Sequence, residues 1–67
     1  MVLYTCTIEF NNKQTVRCST VEQSLGVIEA QPSNNISSVI LDVADGQHIK
    51  TYRDLTLEES IESLMSL

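Results

Sequence analysis

Residues 56–64 read TLEESIESL, and residues 20–28 read TVEQSLGVI. Both stretches begin with threonine, carry glutamate at the third position and serine at the fifth, and place aliphatic residues at the second, sixth and ninth positions. Aliphatic residues at this spacing predict helices with one apolar side. Each stretch follows a hairpin-like segment, so the sequence predicts two ββα units.

The length of 67 residues and the hydrophobic content of 42% are typical of one small globular domain. Within this domain, residues 1–67, we expect a first ββα unit at residues 2–31, a linker at residues 32–35 and a second unit at residues 36–67. Two amphipathic hairpins and two one-sided helices predict an α+β fold, in which a four-stranded antiparallel sheet carries both helices packed on one face.

The first hairpin can be aligned from the alternation of its apolar residues. Residues 2–10 alternate with the period of a half-buried strand. A loop at residues 11–13 pairs apolar side chains on one face, whereas a two-residue loop would pair apolar with polar side chains. The favoured loop requires Lys13 to adopt the left-handed conformation that usually belongs to glycine or asparagine. It pairs Ile8 with Val16, Cys6 with Cys18, and Thr7 with Arg17.

The second hairpin contains Asp45-Gly46, the strongest turn signal in the chain. A three-residue loop at residues 44–46 places Gly46 in the left-handed position that suits glycine, and it repeats the register expected for the first hairpin. The three residues that lengthen the second unit would then lie near residues 52–55, between the hairpin and its helix. The expected pairs are Leu41 with Ile49, Asp42 with His48, and Ile40 with Lys50.

The helices have recognisable starts. Ser19 or Thr20 is placed to cap the first, and Thr56 forms a capping box with Glu59 at the second. Gly26 leaves an alternative, in which the first helix ends there and residues 27–31 form a strand. Glu62 occupies the equivalent place in a segment without a helix breaker, which favours a helix that continues to about Ala30.

The core should be formed by the inward face of the sheet and the helical stripes. Ser24 and Ser60 lie at the edges of these stripes, where small side chains allow elements to approach closely. We assign the following residues to the core: Val2, Tyr4, Cys6, Ile8, Phe10, Val16, Cys18, Val39, Leu41, Val43 and Ile49 from the sheet, and Val21, Leu25, Ile28, Leu57, Ile61, Leu64 and Met65 from the helices.

The two cysteines bear on location and on metal chemistry. No basic start with a long apolar run precedes Cys6, and the longest apolar run, at residues 39–41, is too short to span a bilayer. We therefore expect a cytoplasmic protein with reduced, buried thiols and no membrane contact. Two cysteines and one histidine are fewer than the four ligands of a structural zinc site, so we predict no metal and no cofactor.

We find no catalytic set in the sequence. The only histidine, His48, is predicted to face Asp42, and such a pair can act as a general base. Both cysteines are expected to point inward, so no nucleophile stands next to the pair, and a solvated cross-strand contact is the better interpretation. Only two glycines are present, so there is no glycine-rich phosphate loop. We expect no enzymatic activity.

Charge is distributed unevenly. Nine acids against four bases give a net charge of −5, which argues against nucleic acid as a partner. All four bases fall on the hairpins. A small interaction module that binds a basic protein surface without catalysis fits this pattern, as do inhibitors or adaptors of phage and other mobile elements. Its predicted binding surface consists of the helical acids Glu22, Glu29, Glu58, Glu59 and Glu62.

The alternative surface is the outer face of the sheet, turned away from the helices. A nucleic-acid-binding sheet needs aromatic residues for stacking and a basic track. One aromatic residue under a net charge of −5 makes this the second choice. Self-association into a homodimer through the same face also fits so small a domain. The residues expected there are Arg17, Ile40, His48, Lys50 and Tyr52.

Overall fold

The computed structural model describes residues 2–53 and 56–67. Four strands form one antiparallel sheet in the order β2-β1-β3-β4, so β1 and β3 are central and β2 and β4 are the edges. Together with two helices this confirms the predicted α+β fold. The elements are β1 (Val2–Phe10), β2 (Thr15–Cys18), α1 (Val21–Ala30), a 3₁₀ turn (Ser33–Asn35), β3 (Ile36–Asp45), β4 (His48–Tyr52) and α2 (Leu57–Met65).

The first hairpin has the register that the sequence predicts. Ile8 lies opposite Val16 and Cys6 lies opposite Cys18. Lys13 has a φ of 71°, in the left-handed region, and its backbone N–H donates to the Phe10 carbonyl at 3.0 Å. The alternation of apolar residues was therefore sufficient to fix this register, because a one-residue slip would have moved the whole apolar set to the other face.

The predicted register of the second hairpin is wrong. Asp45 pairs with His48, so the loop consists of Gly46 and one further residue, and Leu41 pairs with Tyr52 instead of Ile49. Gly46 has a φ of 65°, as the first central residue of a type II′ turn requires. This two-residue turn matches the twist of the strands. The shift from residue 49 to residue 52 is odd, and it therefore exchanges the two faces of β4.

A bulge near the start of β1 changes the predicted alternation there. Leu3 pairs with Val43 and Thr5 pairs with Asp42, so the register skips Tyr4. The extra residue places Leu3 in the core with 8% of its surface exposed, whereas Tyr4 is 59% exposed. A period-two pattern cannot continue through a bulge, because one strand gains a residue without a partner.

Both helices pack on one face of the sheet. α1 contacts β1 and β2, α2 contacts β3, and the helices contact each other. α1 continues to Ala30, so the alternative with a strand at residues 27–31 is wrong. Ser24 and Ser60 are fully buried, and their hydroxyls donate to the carbonyls of Thr20 and Thr56 at 2.8 and 2.9 Å. Both small side chains thus lie inside the packed interior.

The core is smaller than the sequence predicts. Val2, Tyr4, Ile49 and Met65 are exposed, against expectation, and Val16 is partly exposed. The bulge accounts for the first two residues and the register of β4 for Ile49, while Met65 lies in the last turn of α2 beyond the apolar stripe. The buried apolar residues are Leu3, Cys6, Ile8, Cys18, Ile28, Val39, Leu41, Val43 and Leu64.

The observed registers show where the two halves differ in length. Five residues, 10–14, separate Glu9 from its partner Thr15, and eight residues, 43–50, separate Asp42 from its partner Thr51. Eight minus five gives three extra residues, and they belong to the second hairpin. The prediction placed them at residues 52–55, of which 54 and 55 lie outside the described residues. With this correction, the number of residues from Thr15 to Thr51 equals the number from a position of the first helix to the equivalent position of the second.

Candidate functional site

The predicted acidic surface lies on the helices and is open to solvent. Each of its five glutamates is exposed, two on α1 and three on α2. The four basic residues lie on the turn of the first hairpin, on β2, on β4 and directly after β4. The two helices therefore carry acids and no bases, whereas the hairpins carry charges of both signs. The acidic residues are Glu22, Glu29, Glu58, Glu59 and Glu62, and the basic residues are Lys13, Arg17, Lys50 and Arg53.

Glu59 also has a structural role. Its Oε1 accepts a hydrogen bond from the Thr56 backbone N–H at 2.9 Å, and its own N–H donates to the Thr56 hydroxyl at 3.1 Å. The capping box is thereby complete. The hydrogen bonds from the Thr56 backbone and side chain lower the pKa of the Glu59 carboxyl, because they favour its charged form. Variants of the acidic surface should therefore leave Glu59 unchanged.

The predicted outer sheet site is not formed as a unit. Arg17 and Ile40 do share the outer face, since both pair with Thr7 from opposite sides. The other three members, His48, Lys50 and Tyr52, lie on the helix side of β4. This placement follows from the register, because Lys50 pairs with buried Val43 and Tyr52 pairs with buried Leu41.

The predicted contact between His48 and Asp42 is also absent from the structure. His48 pairs with Asp45, and Asp42 faces Thr51, whose hydroxyl donates to Asp42 Oδ1 at 2.6 Å. The only ion pair among residues 2–53 and 56–67 joins Lys50 Nζ to Asp45 Oδ2 at 3.6 Å. Because both side chains of this pair are at least half exposed, it contributes little to stability.

The outer face instead carries a small apolar row that the sequence analysis missed. Val2 pairs with Ala44, and Ala44 pairs with Ile49, so three apolar side chains cross β1, β3 and β4 side by side. Val2 is 69% exposed and Ile49 is 54% exposed. Gly46 is the signal that could have found this row, since a two-residue turn with glycine at its first central position gives the observed register.

A groove of about 410 Å³ lies between α2 and the helix side of β3 and β4. We call it the α2–β4 groove. Leu41 and Val43 form its floor, and Tyr52 on the edge strand forms one wall. The opposite wall is α2 with the residues after it, which contribute two carboxylates and two hydroxyls. These residues are Glu59, Glu62, Ser63, Ser66 and Leu67. The groove was not predicted, because the wrong register placed Tyr52 on the other face.

Cys6 and Cys18 lie opposite each other and are buried free thiols, as predicted. Burial raises the pKa of the Cys6 thiol, and a hydrogen bond with Ser24 partly opposes this effect. The neutral thiol is the favoured form, so Cys6 has the properties of a small core residue.

Within the described part of the chain, no three His, Cys, Asp or Glu side chains cluster in a way that could hold a metal ion. The same residues include no helix long and apolar enough to cross a membrane. Comparison with protein-family models, curated proteins and solved structures finds no match to this chain.

Proposed function

We propose that this chain is a small intracellular protein-interaction module that binds a partner with a basic surface and performs no catalysis. One observation supports this most directly. Five exposed glutamates lie on the two helices, and neither helix contains a basic residue. A basic partner approaching the helices would meet a surface of one sign.

The physical effect of such a surface is on association more than on final affinity. Each exposed carboxylate contributes little by itself, because water and salt screen it. Several acids on one side of a small molecule act together at a distance, and they raise the rate at which a basic partner arrives in the correct orientation. Binding of this kind weakens as the salt concentration rises.

The nucleic-acid alternative has less support than the sequence suggested. Its basic track required Arg17 and Lys50 on one face, and they lie on opposite faces of the sheet. Lys50 is also engaged by Asp45 at 3.6 Å. Tyr52, the proposed stacking residue, lines the α2–β4 groove with two carboxylates opposite it, which would repel phosphate groups.

A random peptide library displayed on phage tests the proposal. We expect the purified protein to select peptides rich in lysine and arginine, and we expect their binding to weaken with salt. Glu62→Lys should weaken the binding of these peptides, since the substitution reverses one charge on the helix side. Glu9→Lys is the matched control, because it makes the same charge change on the sheet.

The comparison of the two variants separates local charge from net charge. Equal losses in Glu62→Lys and Glu9→Lys would show that only net charge matters. Selected peptides without an excess of basic residues would contradict the proposal. Circular dichroism of each variant checks that the fold is retained, as expected because Glu62 is exposed outside the apolar stripe of α2 and Glu9 lies on the outer face of the sheet.

A further inference from the structure

The edge strand β4 presents backbone groups that no strand of this chain uses. In a two-residue hairpin the pair that closes the loop, here Asp45 and His48, exchanges hydrogen bonds, and such pairs alternate along the ladder. Lys50 and Tyr52 therefore bond to β3. Ile49 and Thr51 direct their backbone N–H and C=O groups outward from the sheet, where a further strand could pair with them.

The two edges of the sheet are not equally covered. On β2, Cys18 is buried and α1 contacts the strand, while the other three residues are exposed. On β4, all five residues are exposed, and α2 packs on the neighbouring strand β3. The α2–β4 groove lies directly beside this uncovered edge, so a strand added to β4 would direct alternate side chains toward it.

The chemistry of the groove favours a basic side chain with an aliphatic stem. Leu41 and Val43 on the floor suit the stem of a lysine or arginine. The Tyr52 ring, 39% exposed, can contact a cation through its face, and Glu62 can accept hydrogen bonds from it. The basic residue on the same side of β4, Lys50, is held by Asp45 next to the turn.

We propose that the partner contributes an extended basic segment, which adds to the sheet as a fifth strand beside β4 and places a lysine or arginine in the α2–β4 groove. This inference rests on the proposed function and specifies how the partner binds. Main-chain hydrogen bonds would supply affinity, and the groove would supply specificity.

A second copy of this chain is a poorer occupant of the same edge. Each copy carries a net charge of −5, so two copies repel each other at long range. Antiparallel pairing of two β4 strands centred on Lys50 would also bring two ammonium groups together, and like charges directly opposite each other destabilise a sheet. A basic peptide is attracted rather than repelled by the net charge, and it avoids the second obstacle when the residue opposite Lys50 is not basic.

The test uses a blocked peptide of about six residues, a typical strand length, with the sequence Val-Lys-Val-Thr-Val-Lys, in which threonine can lie opposite Lys50 and a lysine opposite Tyr52. Its binding is measured by fluorescence anisotropy at moderate salt. Two analogues carry N-methyl groups on alternate residues, so that each analogue blocks hydrogen bonding along one edge of the peptide only. Both analogues keep the charges of the parent peptide, and the protein itself is unchanged.

We expect one analogue to lose binding by about tenfold or more, because it cannot pair with Ile49 and Thr51. The other analogue should bind like the parent, since its methyl groups face solvent. Tyr52→Leu should also weaken binding, whereas Val16→Leu, at the corresponding place on β2, should leave it unchanged.

Other outcomes overturn the inference in distinguishable ways. Equal binding by both analogues and the parent would mean that charge alone attracts the peptide, which leaves the proposed function standing and removes the added strand. No binding of the parent would also reject the added strand, while the peptide library still decides the proposed function. A dimer in sedimentation experiments that Ile49→Pro converts to monomer would identify a second copy as the occupant.

Discussion

The two edge strands, β2 and β4, belong to equivalent ββα units, but they differ in hairpin length and in exposure. At β2 the hairpin is short, the strand has four residues, and its last residue is buried beneath α1. At β4 the hairpin is three residues longer, the strand has five residues, and all of them are exposed. The edge at β2 is thus partly covered by α1, whereas the edge at β4 is exposed along its length and lies beside the α2–β4 groove.

The inner packing of the two halves is more similar than their edges. Cys6 pairs with Leu41 and Ile8 pairs with Val39 at the centre of the sheet. In the alignment of the two halves, Cys6 is equivalent to Val39 and Ile8 is equivalent to Leu41. Exchanging the halves therefore converts the first of these pairs into the second. This exchange is what a pseudo-twofold axis between β1 and β3 would produce. Differences in length are therefore confined to the outer hairpin and its turn.

The largest expected effect tests the similarity of the two helices. Ser24→Leu and Ser60→Leu should each destabilise the fold by about 1–3 kcal/mol, because a larger side chain must enter a fully packed position. Alanine at either position should cost much less, since the Thr20 and Thr56 carbonyls keep their backbone hydrogen bonds. The free energy of unfolding in urea measures both.

Ser63→Leu is the control within α2, because Ser63 is only half-buried and faces the groove. We expect its effect to stay within about 0.5 kcal/mol. If leucine is tolerated at Ser60 but not at Ser24, the two helices are packed differently, and the likeness of the two halves does not extend to the contact between helices and sheet.

The same contrast shows what could be predicted from the sequence. Strand alternation fixed the first hairpin, since only one register keeps Ile8, Val16, Cys6 and Cys18 on one face. The second hairpin offered weaker information. Ile49 and Tyr52 are separated by an odd number of positions, so their side chains lie on opposite faces of β4 and no apolar alternation marks one face as the inner one. A three-residue loop, which gives Gly46 a left-handed position and repeats the register of the first hairpin, was therefore chosen, and it was wrong.

The candidate binding surfaces also differ in how well the sequence predicts them. The exposed helical glutamates could be placed from helical periodicity alone, because acids off the apolar stripe must face solvent. The α2–β4 groove and the apolar row at Val2, Ala44 and Ile49 depend on a bulge and on one turn type. A periodic pattern of apolar residues predicts neither the bulge nor the turn type, although Gly46 indicates the turn.

The second prediction concerns the two turns, each of which holds one residue at positive φ. Gly46→Ala should destabilise the protein by about 1 kcal/mol, because the left-handed conformation is unfavourable for residues with a Cβ atom. A Cβ at Gly46 would have no atom within 4 Å, so crowding adds nothing to this cost. Thermal unfolding provides the measurement.

Lys13→Gly should have the opposite sign and a smaller size, at most about 1 kcal/mol of stabilisation, because relief of the backbone is offset by the greater freedom of glycine in the unfolded chain. A loss of stability on Lys13→Gly would show that the Lys13 side chain contributes more than its backbone conformation costs.

The smallest effect distinguishes the two helix starts through pH. Thr20 and Thr56 both accept a hydrogen bond from the third residue of their helix, but only α2 has an acid there; α1 has Gln23, whose Oε1 accepts from the Ser19 N–H instead. The pKa of Glu59 is lowered in the folded protein from an ordinary value of 4.5 by its bonds to Thr56. The stability that this carboxylate provides is therefore fully present above pH 4.5, and it is lost as the pH falls through the lower pKa of the folded state.

Glu59→Gln keeps an acceptor for the Thr56 N–H and removes the titration. We expect the wild type to lose stability relative to Glu59→Gln below pH 4.5. Gln23→Glu should introduce a similar dependence of stability on pH only if its carboxylate accepts a hydrogen bond from a backbone N–H at the start of α1. Parallel stability curves of wild type and Glu59→Gln from neutral pH down to pH 3 would show that the capping box carries no charge-dependent part, and the two helix starts would then differ in geometry alone.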